Sequence, residues 1–478
     1  MESLENSSQF TGSFNHVSSS MKEPLHLEMK PVDVFLDSLG VCAHFSASAE
    51  REIDLTCEAG IRHIRNEIPW ESVEKEPGQF ELPPKNLDWI DLANARGVQI
   101  LLALGYGNSI YPDLGIGSRK FPEENFELFG RYVDFIVTHL KHRINGWEIW
   151  NKPNWLYLNR QYGGDWRGGG WVESYVRLAD IILGRIRAID ASAFVVTAGL
   201  EPPVAELIIP FLNKRFDALG VQPFCHPLLP EYFLPSLMQL RGALKRKRLD
   251  IPLIATEQGY PAVGGTGKFV WRHSATITPL DQARFLLRVF CGNFLHGVPR
   301  TYWYNLVCDG GDPDNELHNY GLVDHGTLSP RPAYQALKNL TSVLNRKSDY
   351  EGASPDSIRG RSTIVHFDPS PSHPPRGILL SRDAGHYFLI LWEESKSKDL
   401  LEVNGPDPQK RVFHDDGAPE VLLATFTSFF SGSLRATVID PVEGMSSEKP
   451  IRAFSQGVSH VIEIPLKESP VIVEITCR

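Results

Sequence analysis

Cysteine is scarce in this sequence and basic charge is in deficit, and both shortages narrow what the chain can be. Six cysteines occur in 478 residues (Cys42, Cys57, Cys225, Cys291, Cys308 and Cys477), scattered and without CxxC spacing. That excludes a zinc knuckle and argues against a disulfide framework. Free thiols in apolar contexts serve as small core residues, which points to a reducing compartment. Lysine and arginine number 48 against 58 aspartates and glutamates, a formal net charge of -10 that argues against a nucleic-acid partner. The one basic cluster, KRKR at 245–248, closes an amphipathic helix pattern and reads as a solvated helix end. No stretch reaches the roughly 18 apolar residues of a membrane span, so no membrane partner is expected. The N-terminal MESLENSSQF lacks the basic start and apolar core of an export signal, and the expected localisation is cytoplasmic. HExxH and GxSxG are both absent, and the acidic DGGDPDNE at 309–316 lacks a calcium-hand pattern and reads as a cleft wall. Neither a metal nor a cofactor is expected.

What is present is a long alternation of apolar runs and helix-period segments. The predicted strands are LGVCAHF (39–45), IRHIRNEI (61–68), VQILLALGY (98–106), INGWEIWN (144–151), FVVTAGL (194–200), FDALGVQPF (216–224), IPLIATEQGY (251–260) and VPRTYWYNL (298–306). Helical segments separate them. In one of these, PLDQARFLLRVFCGNFL, the spacing of Leu280, Ala283, Leu287 and Phe290 predicts a buried stripe. Eight βα units with nearly continuous apolar strands predict an α/β fold, a (β/α)8 TIM barrel. A doubly wound sheet would carry a Gly-rich phosphate loop after its first strand, and VCAHFSASAERE has none. From about 346 the runs become short, alternating and broken by Pro and Gly, which predicts a C-terminal antiparallel β-sandwich. The expected division is a disordered tail over 1–30, the barrel over 31–345 and the sandwich over 346–478. Trp392 is the only tryptophan after 345, so the sandwich reads as structural.

Function in such a barrel sits at the C-terminal strand ends and the loops beyond them. Those ends carry His44, Arg65, Asn66, Glu67, Trp70, Tyr106, Asn108, Asn151, Lys152, His226, Glu257, Trp303 and Tyr304. Trp155, Trp166 and Trp171 follow strand four, and Trp271 follows strand seven. Aromatic faces beside Asn, Arg, Glu and His suit a sugar ring with apolar CH faces and hydroxyl edges, so a carbohydrate is the expected partner. Glu257 ends strand seven, where a carboxylate can attack an anomeric carbon. It can equally be a structural partner of Arg65, and the two roles are compatible.

The residues LGVCAHF, the R-N-E run at 65–67, Trp70 with ESVEKEPGQF, LGYGNSIY (104–111), WEIWNKPN, HP (226–227), TEQGY and YWYNLVCDGGDPDNELHNYGLVD occur in one order across 39–345. In this the chain resembles clan A glycoside hydrolases, specifically family 39 and its bacterial exopolysaccharide-associated endoglycosidases. The resemblance implies that Glu257 is the nucleophile and that Asn151 binds the hydroxyl beside the scissile bond. It implies Arg65 near the nucleophile and His226 and Trp303 in subsites; from their places at the strand ends and in the loops beyond, Tyr304, His44, Trp70 and Trp155 are expected as further substrate contacts. Two positions depart from the family. Leu228 stands where it has a tyrosine, and Lys152 stands where it has the acid/base glutamate.

A retaining glycosidase needs a nucleophile and a proton donor about 5–5.5 Å away. An ammonium, with a reference pKa of about 10.4, is a poor donor at neutral pH, and beside Glu257 it is expected to form an ion pair instead. Glu67 is the reserve acid; Glu148, on the inward face, is deeper and reads as structural. The expectation is a glycoside hydrolase-like protein acting on an oligo- or polysaccharide through Glu257. A catalytically silent glycan-binding protein is the alternative.

Overall fold

The computed structural model describes residues 24–45, 49–112, 114–115, 121–154, 170–213, 215–226, 228–263 and 277–347. In the C-terminal part it describes 362–368, 371, 375–383, 385–393, 420–427, 434–451, 453–456, 459–467 and 469–477. Eight parallel strands form one sheet, in the spatial order strand six, seven, eight, one, two, three, four, five. In chain order they are Leu39–Cys42, His63–Glu67, Gln99–Leu104, Gly146–Asn151, Val195–Gly199, Leu219–Val221, Leu253–Gln258 and Thr301–Trp303. Strands five and six close the ring through the parallel bridges Val196–Ala218 and Leu200–Val221. The protein is therefore a TIM barrel carrying a β-domain.

Alternation along the strands sorts the side chains. Ile64, Ile100, Leu102, Leu104, Trp147 and Ile149 pack outward against the helices. Cys42, Leu101, Val196, Ala218, Ile254 and Tyr302 form a small cluster of their own inside the ring. In the helix Pro279–Leu295 a Thr278–Asp281 capping box fixes the start, and Ala283, Leu287 and Phe290 are buried. Leu280 leaves the predicted stripe: it lies in the first turn, ahead of the barrel contact, and is half exposed. Among the described residues no helix is long and apolar enough to cross a membrane.

The β-domain begins earlier than the sequence suggests. Leu25–Pro31, expected as the end of a tail, is a strand belonging to both sheets of the sandwich. Its first half pairs antiparallel with Ser362–Asp368 and its second half parallel with Pro375–Asp383. Leu27 and Met29 enter the sandwich core beside Val365, Leu389, Leu422 and Ile464. The strand Pro375–Asp383 has an apolar run of only three residues, Ile378–Leu380. One sheet is buried on both faces, and the strand His386–Glu393 shows it residue by residue. Tyr387, Leu389 and Leu391 point into the sandwich, while Phe388, Ile390 and Trp392 pack with the barrel's outer core. Trp392 also donates its indole N–H to Glu231, at 3.2 Å, and Glu231 forks onto Arg288 on the barrel.

Candidate active site

Strand four ends by breaking its own alternation. Trp150 has φ 73° and Lys152 φ 44°, left-handed values that cost non-glycine residues of order 1–3 kcal/mol each. The kink sends Trp150 into the outer core against Phe121 and Phe129. Two consecutive residues, Asn151 and Lys152, are left to reach strand seven's carboxylate. A regular strand would have delivered only one of them.

That carboxylate, Glu257, is 5 % exposed and has its two oxygens engaged differently. Oε1 accepts from Arg65 Nη1 at 2.7 Å and from Asn151 Nδ2 at 3.4 Å, whereas Oε2 accepts from Lys152 Nζ at 3.3 Å. Arg65 reaches in the other direction with Nε to the buried Glu148, which also accepts from the Gly199 amide at 3.0 Å. Asn151 is oriented from both ends: Gln222 donates to its carbonyl at 2.7 Å, and its own amide donates to the Tyr106 hydroxyl at 3.1 Å. Burial opposes ionisation of Glu257, but the charges of Lys152 and Arg65 outweigh it and hold this carboxyl below its ordinary range. For Glu148 burial wins over Arg65 and pushes the carboxyl up. Two neighbouring carboxyls are thus driven apart in acidity, Glu257 toward the anion.

Around this centre stand two side-chain groups. His44 Nδ1 lies 3.3 Å from Asp309, which also accepts from Tyr304 at 2.8 Å and from Asn305 at 2.8 Å. Burial would lower the His44 pKa, but the Asp309 hydrogen bond and the charges of Glu67 and Asp309 raise it overall. His226 pairs through Nε2 with Glu316, which also accepts from the Tyr320 hydroxyl at 3.2 Å. Glu67 contacts the Tyr106 hydroxyl. Lys152 Nζ sits 4.9 Å above the Phe224 ring.

The structure thus brings together Glu257, Lys152, Asn151, Arg65, His44 and Tyr304, with Glu67 and His226 at the same end of the barrel. It does not bring the tryptophans. Trp70 is fully buried outside the ring, stacked near Tyr132 with its N–H on Glu74. Trp303 is fully buried too, donating to the Tyr320 carbonyl at 3.3 Å, and Trp171 is core as well. Trp155, Trp166 and Trp271 lie outside the described residues. The aromatic side chains that touch the polar cluster are instead Tyr106 at Asn151, Phe224 at Lys152 and Tyr304 at Asp309. Gln222 and Phe224 were missed as site residues, although their position just past strand six is itself a legible signal. Among the described residues no group of three or more His, Cys, Asp or Glu is placed to hold a metal ion.

A parallel eight-stranded barrel with its polar cluster at the C-terminal strand ends and a β-sandwich packed on its flank is a fold shared with solved glycoside hydrolases. A family 39 glycoside hydrolase from the gut symbiont Bacteroides cellulosilyticus WH2 superposes with a TM-score of 0.59 at 19% identity, over 94% of this chain and 81% of that one. A GH30 endoxylanase from Clostridium papyrosolvens C71 matches at TM-score 0.54 and 9% identity, over 95% of this chain and 98% of that one. The family 30 subfamily 8 xylanase of Clostridium acetobutylicum matches at 0.54 and 10%, over 95% and 97%. No family model and no curated sequence matches the chain.

Proposed function

We propose that the protein acts on O-glycosidic bonds of a carbohydrate, with Glu257 as the group that bonds to the anomeric carbon. The observation that carries this is the asymmetric grip on Glu257: one oxygen is pinned by Arg65 and Asn151, while the other faces the partly exposed Lys152. A carboxylate held ionised in a desolvated, pre-oriented state is the chemistry a retaining displacement needs. Asn151 would hold the hydroxyl next to the scissile bond, and His44, Tyr304 and His226 would line the subsites. Trp70 and Trp303 take no part, being core. Lys152 occupies the position of the general acid, and an ammonium contributes little of the roughly 10²–10⁴-fold that such an acid supplies.

A second reading, a glycan-binding site without turnover, is favoured by one observation: Lys152 already occupies the oxygen that would attack. Hydrolysis of dinitrophenyl glycosides separates the two, because that leaving group departs without protonation. Under the first reading the wild type releases dinitrophenolate and Glu257→Gln does not, while Lys152→Glu gains activity on natural glycans. Sugars that bind measurably but never release dinitrophenolate would leave the binding reading alone standing.

A further inference from the structure

A lysine side chain in the acid position suits a leaving group that departs negative. From the pairing of Lys152 with one particular oxygen of Glu257 we infer that the site transfers glycosyl groups between oxyanions, phosphate or carboxylate, in preference to alcohols and water. This rests on Glu257 as the nucleophile and names the substrate class of that same site.

The two oxygens of Glu257 are not equivalent. Oε1 is fixed by Arg65 and Asn151, so attack on an anomeric carbon falls to Oε2, the oxygen that Lys152 holds at 3.3 Å. Once Oε2 is bonded to C1, the carboxylate has become a neutral ester and the ammonium has lost its counter-charge. Among the described residues no second carboxylate lies within ion-pair reach of Lys152. Glu148 is engaged by Arg65 and the Gly199 amide, and Glu201 accepts from Asn154 at 3.3 Å. The Lys152 side chain is 26% exposed, and the Phe224 ring covers it 4.9 Å from Nζ. A half-desolvated ammonium stripped of its partner attracts an oxyanion strongly. The oxyanion it can draw in is the group leaving C1 or the group about to attack it.

The bonds balance without an acid. In the first step the C1–O bond of the donor breaks and its electron pair departs as a carboxylate, or as hydrogen phosphate from a glycosyl phosphate monoanion, while Oε2 bonds to C1. In the second step carboxylate or hydrogen phosphate attacks C1, the C1–Oε2 bond breaks, and Glu257 returns as a carboxylate. Neither step moves a proton, so neither needs the carboxylic acid that Lys152 replaces. Two inversions leave donor and product with the same anomeric configuration. Water, by contrast, has to lose a proton in the second step and finds no base in that position.

The test loads Glu257 with a panel of dinitrophenyl glycosides fluorinated beside the anomeric carbon and follows the adduct by intact mass. Its decay is compared in buffer, inorganic phosphate, formate and methanol at matched ionic strength. The expected result is decay at least about 10-fold faster in phosphate or formate, saturating with concentration and yielding the glycosyl phosphate or glycosyl formate, with methanol inert. Whichever of the two anions accelerates decay identifies the class of acceptor. In Lys152→Arg the saturation persists, and in Lys152→Gln it disappears. Equal decay in all four solutions, or acceleration that Lys152→Gln retains, overturns the inference while leaving Glu257 as nucleophile. Absence of any adduct across the panel overturns the nucleophile and this inference together.

Discussion

Two buried arginine–carboxylate clusters, one at the barrel mouth and one under the β-domain, use the same chemistry to opposite ends. Under the β-domain, Arg288 forks through Nε and Nη2 onto both oxygens of Glu231, at 2.9 and 2.6 Å, and Trp392 adds a third donor. Both charged groups are almost wholly inaccessible, and the bidentate geometry is closed. At the mouth the charges are strung in a line, Glu148 to Arg65 to Glu257 to Lys152, and Arg65 Nη2 has no hydrogen-bond partner among the described residues. The closed pair has no capacity left for a ligand and serves to lock one body on another. The open chain ends in a part-exposed ammonium and keeps a donor in reserve, at the price of leaving buried charge incompletely matched.

The contrast predicts a gradient of effects. The largest belongs to the closed pair: Arg288→Met strands Glu231 and should cost about 3–5 kcal/mol in urea unfolding, with most of it recovered in Arg288→Met/Glu231→Leu. A single-variant cost near zero would remove the distinction between the clusters. Glu257→Gln should cost less, about 1–2 kcal/mol, because Arg65 keeps Glu148 and Lys152 can turn to solvent, yet it should abolish adduct formation entirely. Intact mass and a melting curve on one sample check both halves.

Smaller effects follow from pH. Glu231 is buried, but Arg288 outweighs that burial and holds its carboxyl below the ordinary value of 4.5. A depressed carboxyl stabilises the fold fully above its unfolded value and loses that contribution as pH falls through the folded one. Wild-type stability should therefore drop below about pH 4.5, and the Arg288→Met/Glu231→Leu variant should lose less over that interval. The smallest effect concerns His296, which burial, with Arg376 and Arg241, lowers from 6.5 to about 4. The unfolded chain takes up that proton first, so its contribution is intact above pH 6.5 and erodes toward pH 4. His296→Gln should flatten thermal stability in that interval alone, and an unchanged slope would discard the assignment.

The barrel was legible because eight strands, nearly continuous in apolar residues, announce a parallel sheet, and their C-terminal ends then pick out Arg65, Asn151, Lys152 and Glu257. The juxtaposition of Asn151 with Lys152 was not, since nothing in WEIWNK marks Trp150 as a residue of positive φ. Indoles misled for a different reason: Trp70 and Trp303 sit at strand ends just as rim platforms do, and only their buried N–H partners on Glu74 and the Tyr320 carbonyl tell them apart. The strand Leu25–Pro31 did carry a signal, apolar residues at Leu25, Leu27 and Met29 in alternation. With partners more than 330 residues away, it had no neighbouring hairpin turn to confirm it.

That strand also dictates the order in which the molecule can be made. Because Leu25–Pro31 lies between Ser362–Asp368 and Pro375–Asp383, the entire barrel is an insertion within the β-domain. On a translating ribosome the first strand emerges more than 300 residues before its neighbours, while the barrel becomes complete in between. The sandwich is thus a clasp that shuts last, joining the two ends of the described chain around a barrel already in place. A cut at residue 345 would leave the barrel fragment holding a strand of the other fragment's sheet.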